Sequence, residues 1–406
     1  MSDMTFFDKL LDPETRSRFL AYREERRTPE FRMARMREYL PSKQYESDVM
    51  RIREGDYRIS VPIKKLIRKS YTDKKRTVYH FQEDEMTIFR IMAHVLHDYE
   101  DLVSDDVYSF RRRKSAKDLI RKISSTPSLQ KMHVVKSDLV SYGNSIQPER
   151  LIALLQEKLG HREPEAVAFF TWLLRRKQFL EDGEICEGDT AALPGCPVHN
   201  FFTNLYLEDT DRLIAPRCAL YARYSDDIIF YTKSREEAQE TYSLLLEEFE
   251  SHGLTTHEDE KTGIYEPGEP YDYLGFHFDG AEVDIAKSSL KKLKRRMRMR
   301  AKRIGLDKKK RYPTPEEKAK RLIYLNHRTF YGKPDSNDLS WDRWAFPVIT
   351  RTDTLHELDL YSQRCIRFLL TGKWSDCQYR IPYDTLKELG YESLVRAYYR
   401  EKDMER

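Results

Sequence analysis

At 406 residues the chain can hold two or three subdomains with cores of their own. Charged residues make up 34% of it and the mean hydropathy is −0.75, which excludes a membrane-embedded protein. Net charge is only +4 but is unevenly spread: Lys287–Arg311 holds fourteen Lys and Arg against one acid, Asp307, a block that points to a polyanionic partner.

The first 60 residues are charge-rich and helical in pattern (RSRFLAYREERR, RMARMREYL), as expected of an N-terminal helical extension that braces a core or touches RNA. Their start, MSDMTFFDKLLDPETR, lacks the layout of a signal peptide, and no apolar run approaches a membrane span, so a cytoplasmic location is expected. The five cysteines are scattered and never in CxxC spacing, which agrees with a reducing compartment and argues against a zinc site. The 26 Tyr and 19 Phe offer faces on which bases stack, although most tyrosines of such a chain fill a half-polar core.

Short β-like runs at Arg58–Ile63 and Thr77–Phe81 flank a turn carrying Lys74, Lys75 and Arg76. Cations there suit a triphosphate, and a solvated hairpin tip is the alternative. Met86–Val103 reads as an amphipathic helix, with Phe89, Met92, Leu96, Tyr99 and Val103 at three- and four-residue spacing. Arg111, Arg112 and Arg113 then precede a basic helix that either contacts a phosphate backbone or is simply solvated.

In KMHVVKSDLVSYGNSI, Val134 and Val135 head a buried strand, Asp138 stands at its end and a helix begins near Pro148. An acid at a strand-to-helix junction is either a metal ligand or an N-cap. Arg150–Leu180 reads as a long helical scaffold. In LPGCPVHNFFTNLYL, Gly195 and Pro197 make a sharp turn into a helix, which lets backbone approach a planar ligand.

The stretch LYARYSDDIIFYT, Leu220–Thr232, reads as two strands joined by a tight turn that presses Asp226 and Asp227 together. Such a tip calls for a cation, and Mg²⁺ prefers carboxylate oxygens. Asp138 can reach the same place from a neighbouring strand. Three carboxylates on two Mg²⁺ ions suit phosphoryl transfer. Downstream, Lys261 follows a helix and turn, suited to a leaving pyrophosphate or to the surface, and YDYLGFHF reads as a hairpin bent at Gly275.

Taken in order over roughly Val61 to Phe278, these segments resemble the successive motifs of bacterial reverse transcriptases: the basic segment with Arg76, VYSFRRRKS, DLVSYGNSI, GCPVHNFFTN, YSDD, GLTTHEDEKT and YDYLGF. The resemblance implies an α+β, right-hand polymerase fold with a helical C-terminal unit, two Mg²⁺ ions (Mn²⁺ as a possible substitute) and dNTP substrates. It implies catalysis by Asp138, Asp226 and Asp227, and metal ligation by these with Leu139. Nucleotide binding would fall to Lys74, Arg76, Tyr142, Gly143, Gly195, Pro197 and Lys261, and a primer grip to Tyr273, Leu274 and Gly275.

The expected layout is an extension at 1–60, fingers and palm at 61–280, a basic thumb at 281–332 and a helical unit at 333–406. Fingers take about 61–130 and 148–190, palm about 131–147 and 191–280. In the thumb, Leu290, Leu293, Met297, Ala301 and Ile304 form one apolar stripe, and Lys291, Lys294, Arg295, Arg298 and Arg303 would face duplex phosphates.

Several positions depart from the family. It usually has a bulky aromatic five residues after the first aspartate, where a ribose 2′-hydroxyl is excluded; here that position is Gly143, and the ring one step earlier, Tyr142, is expected to swing into the gap. Pro194 replaces the usual Gln, and His199-Asn200 the usual Ser-Pro. Retron signatures are lacking. These features are similar to divergent reverse transcriptases of phage defence and abortive infection. The expected function is therefore RNA-directed DNA synthesis, templated by a dedicated structured non-coding RNA in antiviral defence. A homo-oligomer or a second reverse transcriptase is a possible partner, and no membrane is expected. Untemplated or protein-primed synthesis and a catalytically silent RNA-binding scaffold are the alternatives.

Overall fold

The computed structural model describes residues 4–68, 75–188, 191, 193–257, 262–306, 311–332, 340–375 and 380–404. They form an α+β protein that divides into two compact units, one of Met1–Leu119 with Lys131–Pro267, the other of Ile120–Gln130 with Gly268–Arg406. Among the described residues no helix is long and apolar enough to cross a membrane.

Among the described residues the first unit holds two four-stranded sheets. One has the order β2-β1-β4-β5, from β1 (Ile63–Arg68), β2 (Lys75–His80), β4 (Gln178–Glu181) and β5 (Glu184–Glu187). The other has the order β6-β7-β3-β8, from β3 (His133–Asp138), β6 (Leu220–Tyr224), β7 (Asp227–Thr232) and β8 (Gly263–Tyr265). All neighbours in this second sheet are antiparallel, and β3 lies between β7 and β8. Helix Arg235–Ser251 packs on β3 and β7, burying Ala238, Leu245 and Phe249.

The N-terminal helices pack into the core of the first unit. Phe6, Phe7, Leu10 and Phe19 enter the same core as Phe89, Phe169, Phe170 and Phe202, with Phe6 and Phe170 edge-to-face at 5.6 Å. The predicted stripe of Phe89, Met92, Leu96, Tyr99 and Val103 is buried, although the α-helix ends at Leu96 and continues as a 3₁₀ turn. The segment expected as one helix from Arg150 to Leu180 is two, Pro148–Leu159 and Pro164–Arg175, followed by β4. Pro164 lacks the N–H needed to continue the first helix and instead opens the second.

In the second unit β9 (Tyr271–Tyr273), β10 (Phe276–Asp279) and β11 (Glu282–Ile285) form an antiparallel meander. Leu274 and Gly275, with φ of +48° and +86°, make the two-residue turn between β9 and β10, the pattern favoured by the right-handed strand twist. Helix Lys287–Gly305 buries the predicted stripe of Leu290, Leu293, Met297, Ala301 and Ile304 and packs on helices Pro315–Phe330 and Asp353–Thr371.

Candidate active site

The β6–β7 hairpin closes with Tyr224 opposite Asp227, leaving Ser225 and Asp226 as its turn. Ser225 has a φ of +62°, a left-handed conformation that glycine adopts far more readily. In β3, Asp138 ends the strand directly opposite Asp227, while the Leu139 N–H donates to the Asp226 carbonyl at 3.3 Å. The predicted convergence is therefore a matter of register. One oxygen from each of Asp138, Asp226 and Asp227 can be chosen so that all three lie within 4.8 Å of one another.

Asp138 is 5% exposed and the other two are half-buried. Like charges this close repel by about 3 kcal/mol per pair at an effective dielectric near 20. The set fits a hard cation on chemistry as well as spacing, because all three donors are carboxylate oxygens. His257 stands beside them. Its Nε2 lies 3.9 Å from Asp138 Oδ2, and its backbone N–H donates to the Asp138 carbonyl at 2.9 Å.

Gly195 sits against strand β2, which carries Arg76. Its φ is +98°, a β-carbon there would stand 3.0 Å from Val78 Cβ, and the Tyr79 N–H donates to the Pro194 carbonyl at 2.7 Å. Only glycine meets both requirements. Arg76 is exposed on β2 and Pro197 is half-buried in the same loop as Gly195. Lys74 and Lys261 lie outside the described residues.

Tyr142 differs from expectation. It is 2% exposed, and its hydroxyl donates to the Thr203 carbonyl at 2.5 Å, so the ring belongs to the core and presents no face at the surface. Ser141, at φ +51°, turns the chain just before it. The space at Gly143 is taken instead by His199, whose Nε2 would meet a Gly143 β-carbon at 2.9 Å. Burial lowers the His199 imidazole to about 4, so it is neutral at pH 7.

The three arginines after Phe110 also part company. Arg111 is committed internally: it donates to Glu100 at 2.9 Å and to the carbonyls of Val103 and Ser104, and its side chain is 7% exposed. Burial alone would raise the Glu100 carboxyl, but His97, the Arg112 N–H and Arg111 bring it down to about 2. Arg112 and Arg113 are both exposed, and Arg112 bonds Asp98 and the His94 carbonyl. The expected phosphate contact of Arg111 is thus corrected to a structural ion pair.

In the second unit Lys291, Arg295, Arg298 and Arg303 are exposed along helix Lys287–Gly305, while Lys294 pairs with Glu357. Tyr273, Leu274 and Gly275 form the β9–β10 bend, where the Gly275 carbonyl accepts from the Ala286 N–H at 3.0 Å. Residues missed in the sequence stand behind the β6–β7 turn: Ser109, Asn204, Asp211 and Arg223, all at most 2% exposed. An arginine inside the otherwise apolar strand Leu220–Tyr224 was the available signal, since a buried cation requires a buried partner.

The chain matches the family described as "Reverse transcriptase (RNA-dependent DNA polymerase)" over residues 67–278, just over half of its length. Among solved structures it is similar to apo telomerase from Candida tropicalis truncated from the C-terminal domain, at 10% identity and a TM-score of 0.42, over 59% of each chain. It is also similar to telomerase from Candida albicans in complex with a TWJ fragment of telomeric RNA, at 14% identity and a TM-score of 0.44, over 89% of this chain and 68% of that one. The first alignment thus spans less than two thirds of the telomerase chain. No curated protein matches the chain.

Proposed function

This chain belongs to the reverse transcriptase (RNA-dependent DNA polymerase) family, and we propose that it copies RNA into DNA at the Asp138–Asp226–Asp227 cluster. The observation that carries this reading is the meeting of three carboxylates within 4.8 Å, drawn from β3 and the β6–β7 hairpin. In the reaction a primer 3′-oxygen attacks the α-phosphorus of a dNTP, a phosphodiester bond forms and pyrophosphate leaves. Asp138, Asp226 and Asp227, with Leu139 beside them, would hold two Mg²⁺ ions, with Mn²⁺ as a substitute. When bound, such ions lower the pKa of the attacking hydroxyl and stabilise charge on the transferring phosphoryl group.

The right-hand polymerase fold of the family supports assigning fingers to about 61–130 and 148–190, palm to about 131–147 and 191–280, and thumb to 281–332. Arg76 would meet the triphosphate, and the Gly195–Pro197 backbone the incoming base. The Tyr273–Gly275 bend would grip the primer, and Lys291, Arg295, Arg298 and Arg303 would follow duplex phosphates. A dedicated structured non-coding RNA is the template in this reading, in a cytoplasmic antiviral role.

A second reading keeps the chemistry and drops the template. It is favoured by one observation, the packing of His199 against Gly143 in a loop where Pro194 and His199 replace the family's usual residues. Primer extension with Mg²⁺, on a defined RNA template and with none, separates the two. Each of Asp138→Ala, Asp226→Ala and Asp227→Ala should lower incorporation by several orders of magnitude. Wild-type-like extension by Asp227→Ala would sink the assignment.

A further inference from the structure

We infer that a buried polar network centred on Arg223 fixes the turn presenting Asp226 and Asp227, which makes Arg223, Asp211, Asn204 and Ser109 positioning residues for the carboxylate cluster. The inference rests on the reading of that cluster as a metal site. Its origin is the backbone of Ser225. This residue holds a left-handed conformation at the tip of a two-residue turn, yet its side chain lacks glycine's freedom to do so. The conformation is held from outside. The Ser225 N–H donates to Ser109 Oγ at 2.9 Å, and the Ser225 carbonyl accepts from Arg223 Nη1 at 3.3 Å.

Each of these two supports is itself braced. The Ser109 hydroxyl donates to Asn204 Oδ1 at 3.0 Å, and Asn204 Nδ2 returns a bond to the Ser109 carbonyl at 2.8 Å. Arg223 forks onto Asp211 through Nε at 2.7 Å and Nη2 at 2.5 Å, and Nη2 also donates to the Asn204 carbonyl at 2.9 Å. Tyr221 completes Asp211 with a hydroxyl bond of 2.7 Å. The main chain closes the circuit: the Arg223 N–H donates to the Asp106 carbonyl at 3.0 Å, and the Tyr108 N–H donates to the Arg223 carbonyl at 2.9 Å.

Stability alone is a poor reason for this arrangement. A fully buried ion pair can often be exchanged for apolar residues of like volume without loss. What apolar side chains cannot do is hold an N–H and a carbonyl of a turn in fixed directions. Carboxylates that repel one another at a hairpin tip need that fixation before a cation arrives, because ligands held in place beforehand bind and act without reorganising.

The test compares wild type with Ser109→Ala and with the volume-keeping double variant Arg223→Met/Asp211→Leu. Three readouts are taken: thermal melting, Mn²⁺ titration followed by electron paramagnetic resonance, and hydrogen exchange of the amides from Ser225 to Asp227. The expected result is a near-native melting temperature with Mn²⁺ affinity down by about 10-fold or more, as for removal of groups that orient metal ligands. Exchange at the turn should accelerate in parallel. Unchanged affinity and unchanged exchange in a folded variant overturn the inference, and a fold lost in one variant leaves the other to decide. If the wild type shows no Mn²⁺ binding that Asp227→Ala removes, the metal reading falls instead. Turn exchange then decides alone, and no acceleration in either variant overturns the positioning role.

Discussion

A β-carbon on Gly143 would lie 2.9 Å from the Nε2 atom of His199, so these two residues compete for one space. Gly143→Ala should therefore cost about 1–3 kcal/mol through overpacking. In a His199→Ala background the same change should be close to neutral, a coupling of about 1–3 kcal/mol. Denaturant melts of the four proteins give the cycle directly, and equal costs in both backgrounds would separate the two residues. Tyr142→Phe, which removes only the bond to the Thr203 carbonyl, should cost about 1 kcal/mol. Tyr142→Val, which removes the ring itself, should leave the ratio of ribonucleotide to deoxyribonucleotide incorporation unchanged, since the ring faces the core. A shifted ratio in a competition assay would put the ring in the sugar's path after all.

Repulsion within the carboxylate cluster has a signature in the absence of metal. Asp226→Asn removes one charge from three that lie within 4.8 Å and so relieves two repulsions; after solvent screening at the half-buried Asp226 and Asp227 it should stabilise the fold by about 1–2 kcal/mol in chelator. That corresponds to roughly 2–4 °C per kcal/mol in a unit of this size. Adding Mg²⁺ should raise the melting temperature of wild type and leave the variant nearly still. A variant that melts lower than wild type in chelator would mean the cluster is not under electrostatic strain.

Two sets of arginines should respond differently to salt. Charge reversal at Arg295 and Arg298 should weaken RNA or duplex binding and flatten its salt dependence, by about 0.7–0.9 in the log–log slope for each phosphate that is no longer neutralised. Arg111→Ala should leave that slope alone and instead lower stability by about 1–3 kcal/mol, because Glu100 loses one of its partners and the Val103 and Ser104 carbonyls lose a donor. A filter-binding titration across salt, run beside thermal melts, distinguishes them. A slope that changes with Arg111→Ala would return that residue to the nucleic-acid surface.

Acid should loosen the first unit before its carboxylates titrate. His252 is 4% exposed and its imidazole is lowered to about 4, by burial first and by Arg150 second, with Asp209 opposing. His94 and His199 are lowered to about 4 as well, mainly by burial. A neutral histidine in the fold and an ordinary one in the unfolded chain mean that the unfolded chain binds more protons below pH 6.5. Stability from these groups is whole above that value and is lost as pH falls toward 4, by up to about 1.4 kcal/mol per unit for each. Melting temperatures from pH 7 to 5 should fall, and His252→Gln should make the fall shallower. A flat profile would mean the imidazoles are solvated.

What could be read from the sequence was local. Alternation and turn chemistry identify the β6–β7 hairpin, the Asp138 strand and the bend at Gly275, since each depends on residues within reach of one another along the chain. The apolar stripe from Leu290 to Ile304 was legible for the same reason. Partners were not. Nothing in the spacing of Asp211 and Arg223 says that a helix after the Gly195 loop will bring its carboxylate under the hairpin. Nor does the pattern of the first 60 residues say that Phe6 will meet Phe170. Tyr142 failed for a subtler cause: the left-handed Ser141 re-aims the next side chain, and one residue of rotation in a helix moves a ring by about 100°. The long helix expected at Arg150–Leu180 overlooked Pro164 as a start signal.

Strand β3 occupies the middle of its sheet, yet both of its neighbours lie later in the chain, the last ending at Tyr265. During synthesis at about 5–20 residues per second, on the order of ten seconds pass between the appearance of Asp138 and that of Tyr265. Until β7 follows, Val134 and Val135 have no sheet to enter and Asp138 stands apart from the two acids it will join, and β8 closes the other side of β3 only later. The site is therefore assembled late, after the chain has passed the helices that lie between Asp138 and the β6–β7 hairpin.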